Sequence, residues 1–183
     1  MSNVVTFPPP SPLDPFLGTW IRDPMSVSRN KVAKRMLGED GLKRLWSCGS
    51  IAELRQRLQE DAALAEKYAA LCGSGAEGRL VIARHLMTWS KSATPLAAAR
   101  TVSSAITRVT AEGRMIIVHN APRPTVSGHA LRRKGEWLLV SELYAGRNVL
   151  YFPPSPVFRY YRADRDAPGL DTGTVSLTAL HIT

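Results

Sequence analysis

The chain has 183 residues, 44% of them hydrophobic, with a formal net charge of +9 and a pI near 10.1. That length supports one domain able to bury a core, and the composition excludes wholesale disorder. No stretch reaches the roughly 18–20 apolar residues of a membrane-crossing helix, and Met1 to Pro15 lacks the basic and apolar segments of a secretory signal. Two cysteines, Cys48 and Cys72, cannot build a disulfide framework, and neither has the neighbours of a zinc site. The expectation is a cytoplasmic, monomeric protein without metal or cofactor and without stable membrane insertion.

In chain order, residues 1–12 read as a Pro-rich leader. Apolar residues at helical spacing run from Leu13 to Leu45, interrupted at Asp23-Pro24 and at Gly38. Ser50 and Glu53 have the spacing of a capping box, in which the hydroxyl accepts the Glu53 amide while the carboxylate reaches back. Ile51, Leu54, Leu58, Ala65, Tyr68 and Cys72 then recur on one face, which predicts one helix ending at Gly73. Short strands are predicted at Leu80 to Trp89, Leu96 to Ile106, Arg114 to His119, Val126 to Arg133 and Glu136 to Tyr144. Lys91-Ser92, Glu112-Gly113, Pro122 to Pro124 and Lys134-Gly135 mark the turns. Links this short imply antiparallel pairing. Helices first and a meander after predict an α+β domain over 13–158, with helices packed on an antiparallel β-sheet. Residues 159–183 read as an extension with a last strand, Thr174 to Ile182.

Arg84 lies in the predicted strand Ile82-Ala83-Arg84-His85-Leu86. It either points to solvent or waits inside for a carboxylate, since a buried guanidinium needs its charge met. Arg100 follows the small residues Leu96 to Ala99 and is equally a surface or a ligand residue. Glu142 is the single acid in Trp137 to Tyr144. There it is either an exposed cross-strand residue or a proton donor and hydrogen-bond partner. The four histidines show no metal spacing. Gly73 to Gly78 has the letters of a dinucleotide loop but follows a helix rather than a strand. The basic residues form no run of five and no zinc-finger or RNP pattern, so no nucleic-acid partner is expected, although the charge alone permits one. An arginine-rich pocket for a small anion fits the charge as well, because a guanidinium matches a carboxylate with two parallel hydrogen bonds.

Four stretches, in order, resemble the chorismate pyruvate-lyase family, which makes 4-hydroxybenzoate for ubiquinone synthesis. They are Leu13 to Trp20 with Asp23 to Ser26; Arg84 with Pro95 to Val102; Thr110 to Arg114; and Leu131 to Leu143. The chain departs from the family in a longer stretch between Met25 and Arg84, in shorter segments around Gly113, and in Glu112 at a turn position usually held by Leu. The resemblance implies conversion of chorismate to 4-hydroxybenzoate and pyruvate. Arg84 would bind the ring carboxylate with the Met25 backbone. Glu142 would act at the opposite end as hydrogen-bond partner or acid. Glu112 would lie in the lid, and Arg100 would give electrostatic support. The alternatives are a small-anion-binding domain without this reaction, and a basic nucleic-acid-binding module.

Overall fold

The computed structural model describes residues 9–27, 31–73, 77–92, 100–121, 126–143 and 158–162. A short 3-10 turn, Asp14–Phe16, leads into β1 (Gly18–Arg22), and a second, Pro24–Val27, leaves it. Three helices follow: α1 (Lys31–Trp46, broken at Gly38), α2 (Ile51–Glu60) and α3 (Ala62–Gly73). The remaining strands are β2 (Glu77–Ile82), β3 (Leu86–Ser92), β4 (Arg100–Glu112), β5 (Met115–Asn120), β6 (Gly128–Lys134), β7 (Trp137–Leu143) and β8 (Phe158–Arg162). Each strand pairs antiparallel with the next. β8 then returns to β1, with Trp20 opposite Arg162 and Ile21 opposite Tyr161.

The protein is therefore a closed eight-stranded antiparallel barrel with three short helices, and not the expected α+β domain built on an antiparallel sheet. Two strands escaped the sequence reading. β1 lies inside the stretch read as helical, and β8 lies beyond the last hairpin; together they close the sheet. The single helix expected from Ser50 to Gly73 is two helices. The Asp61 carboxylate accepts the Leu64 amide at 3.0 Å, ending one helix and opening the next. The capping box forms as expected at its first bond, Glu53 N–H to Ser50 Oγ at 3.0 Å, and the Glu53 carboxylate reaches back to the Gly49 amide at 2.8 Å. The strand expected over Leu80 to Trp89 reverses at Ala83-Arg84-His85 to give β2 and β3, while β4 continues to Glu112. The leader through residue 8, Leu96 to Ala99 and Thr174 to Ile182 lie outside the described residues.

Because side chains alternate along a strand, the barrel has an inner and an outer residue set. Trp20, Leu80, Ile82, Met87, Ile116, Val118, Leu131, Leu138, Val140 and Tyr160 form one buried cluster from seven strands, which is the interior, with Ile106 and Val109 of β4 packed against it. Leu13 and Phe16 join that cluster and plug one end. Trp20 Nε1 donates to the Phe16 carbonyl at 2.9 Å, and the guanidinium groups of Arg133 and Arg162 lie 5.1 and 5.6 Å from the Trp20 ring centre. Arg162 also donates to the Leu17 carbonyl at 3.1 Å. The β2–β3, β4–β5 and β6–β7 turns share this plugged end, since alternate turns of an up-and-down barrel do so.

The helices cover one outer flank. Ile21, Trp137 and Tyr161 face outward and pack with Met25 and the leucines of α1, α2 and α3. Two polar devices fix this contact. Trp137 Nε1 donates to the Cys48 carbonyl at 2.5 Å, and the Glu136 carboxylate accepts the Ile51 amide at 3.0 Å. Arg159, 1% exposed, donates to Asp23 Oδ2 at 2.6 Å and to the Trp46 carbonyl at 2.6 Å, with its guanidinium between the Trp46 and Trp137 rings.

Candidate functional site

Of the five residues singled out from the sequence, the four whose side chains are described do not meet. Arg84 is not on an inward strand: it sits in the β2–β3 turn, its side chain 57% exposed, 3.6 Å from Asp14. Glu112 is exposed where β4 turns into β5, at the same plugged end. Met25 is buried under the helices, and its amide is already spent on Asp23 Oδ1 at 2.8 Å, so it is not offered to a ligand. Arg100 opens β4 opposite Lys91, and its side chain lies outside the described residues. Of the four whose side chains are described, Glu142 stands on the inner face, sharing the parity of Leu138 and Val140 and lying near the end away from the plug.

Its neighbours make this end of the interior polar and aromatic. His129 is its register partner on β6 and is buried. His129 Nδ1 stands 2.7 Å from Asn120 Oδ1. As an amide oxygen only accepts, this contact has the His129 Nδ1–H donating to Asn120. The His129 ring lies 4.7 Å from that of Trp89. Arg22 continues the inner face of β1 past Trp20. Its stem crosses Gly78, its guanidinium lies 4.9 Å from the Phe158 ring centre, and its Nε donates to Ser26 Oγ at 2.9 Å. Gly78 leaves room for that stem, because a methyl there would press on Arg22 Cδ at 3.0 Å. The buried Asn120 Nδ2 has no hydrogen-bond partner among the described residues, so a donor is held ready on the inner wall.

Tyr160 links Arg22 and Glu142. Burial pushes its hydroxyl up to about 12, with the Arg22 charge pulling it down and the Glu142 charge pushing it up. A tyrosine raised in the folded state stabilises fully below its ordinary value near 10 and loses that contribution as pH climbs through the folded value. Thermal unfolding followed by circular dichroism should show stability falling between about pH 10 and 12, by on the order of 2–3 kcal/mol from this group. Tyr160→Phe should flatten that fall, and an unchanged slope would remove Tyr160 as its cause.

Sequence reasoning missed Arg22, Trp89, Asn120, His129 and Tyr160. One signal was available: counting residues outward from the Lys134-Gly135 turn places His129 opposite Glu142. Among the described residues, no group of three or more His, Cys, Asp or Glu could hold a metal ion. No helix there is long and apolar enough to cross a membrane. Comparison with protein-family models and with curated proteins gives no match. The resemblance to chorismate pyruvate-lyases therefore rests on the four sequence stretches alone.

Proposed function

We propose that this chain holds a small ring-bearing anion inside the unplugged end of its barrel. The observation that carries the reading is the convergence of Glu142, His129, Tyr160 and Arg22 on one inner wall beside Trp89 and Phe158. Eight strands give an interior that side chains fill or that takes one small ligand. Arg22 supplies the cation for a carboxylate, the aromatic rings supply flat apolar contact, and Asn120 Nδ2 supplies a donor for a ligand oxygen. A cytoplasmic setting belongs to this proposal and is supported by the free thiols of Cys48 and Cys72.

A second reading adds the reaction that the sequence resemblance implies, because the resembling stretch Leu131 to Leu143 is the hairpin that carries Glu142. In chorismate the ring loses a C–H proton, the adjacent C–O bond to the enolpyruvyl group breaks, and the enol takes up a proton to leave as pyruvate. The ring becomes aromatic, which drives the step. Glu142 would serve as acid at the departing oxygen and His129 as acceptor of the ring proton. Arg22, not Arg84, would face the carboxylate.

Both readings are tested together. Purified protein is incubated with chorismate in the presence of EDTA, with products followed by chromatography, and 4-hydroxybenzoate binding is measured by calorimetry. Equimolar 4-hydroxybenzoate and pyruvate, with turnover lowered about a hundred-fold or more in Glu142→Gln, is the result expected of the lyase. Binding without turnover leaves the first reading alone. Folded protein that neither binds nor turns over overturns both.

A further inference from the structure

The plugged end of the barrel carries the chain's positive charge to the surface in a defined arrangement. Arg84 is exposed on the β2–β3 turn, Arg114 on the β4–β5 turn, and Arg132, Arg133 and Lys134 where β6 enters the β6–β7 turn. Among the described residues, Asp14, Glu112 and Glu136 also lie at this end, and two of these carboxylates are engaged. Asp14 meets Arg84 and accepts the Ser11 amide, and Glu136 accepts the Ile51 amide. Three large hydrophobic residues are exposed among those described, and two of them flank Arg84: Val81 at 39% and Leu86 at 41%, on the outer face on either side of the turn.

We infer that this end docks on an anionic lipid surface, with Arg84, Arg114 and Lys134 against the headgroup phosphates and Val81 and Leu86 at the level of the upper acyl chains. Three hairpin turns around one end present an end-on face, which suits a plane better than the groove a nucleic acid requires. Phe16 and Trp20, the aromatic rings of the plug, are buried, with Arg133 and Arg162 over Trp20, and offer no base a stacking surface. Apolar side chains beside a cation are what a bilayer interface rewards, and phosphate–sugar recognition has no use for them. The unplugged end, with Glu142, would then face the aqueous side.

The test is sedimentation of the full chain with vesicles of equimolar phosphatidylglycerol and phosphatidylcholine, against vesicles of phosphatidylcholine alone. Binding is expected to the anionic vesicles only and to weaken as salt is raised. Arg114→Gln with Lys134→Gln should lower partitioning roughly five-fold per cation, the equivalent of about 1 kcal/mol each. Leu86→Ser should lower it further, with each variant's fold checked by its melting curve. Lys31→Gln with Lys34→Gln, at the start of α1 and at the opposite end of β1, should leave it unchanged. Equal loss in that control pair would mean diffuse charge and overturn the proposal. Tighter binding to a random-sequence DNA duplex or single-stranded RNA than to vesicles, or no vesicle binding, would overturn it as well.

Discussion

Arg159→Ala should destabilise the protein by about 3–5 kcal/mol, the range for removing one partner of a buried ion pair. The substitution leaves the Asp23 carboxylate inside the protein without its cation, and Asp23 is itself fully buried. It also strips the Trp46 and Leu45 carbonyls at the end of α1 of their donor, and empties the slot between the Trp46 and Trp137 rings. One side chain thus ties β8 to the turn after β1 and to the first helix. Urea unfolding monitored by tryptophan fluorescence measures the effect through the transition midpoint. A shift equivalent to less than about 1 kcal/mol, the worth of an exposed pair, would show that the cluster is not the lock described. Asp23→Asn in the same background should recover part of the loss, since it removes the orphaned charge while keeping a side-chain acceptor for the Met25 amide.

Gly135→Ala is the second large effect expected, about 2–4 kcal/mol. Gly135 has φ +59°, where a side chain costs about 1–2 kcal/mol. The added methyl would also strike the Gly49 carbonyl, which already accepts the Glu136 amide at 2.9 Å. Relief requires the β6–β7 turn to withdraw from the α1–α2 connection, taking with it the Trp137 bond to Cys48. Gly113→Ala is the comparison that separates the two causes. Gly113 has the same φ of +59° but open space around it, so it should lose only the backbone part. Equal losses at both positions, read from the same unfolding curves, would mean that the contact with Gly49 contributes nothing.

The legible part of the fold was the hairpin series. β4 is joined to β5 at Glu112-Gly113 and β6 to β7 at Lys134-Gly135, where glycine takes positive φ. Barrel closure was not legible, because it pairs Trp20 with Arg162, and no local pattern reports a partner that distant. β1 has five residues beside a stretch of helical spacing, too few for alternation to register against it. The β2–β3 reversal has Ala83-Arg84-His85 in place of glycine, proline or asparagine, so an apolar run appeared continuous and Arg84 was read onto a strand. Glu142 was legible as the lone acid of an apolar strand. Its companions Arg22 and Tyr160 lie on the two strands the sequence concealed, and so the wall they form with it was concealed too.

Closure by β8 has a consequence for how the chain behaves among copies of itself. Every strand of the barrel has a neighbour on both sides, and five residues supply two of those pairings. Without Phe158–Arg162, β1 and β7 would each present a row of unsatisfied amides and carbonyls to whatever strand came next. The last short strand is thus also a guard against fibre-like association, and its selection would be felt through solubility before it was felt through the site.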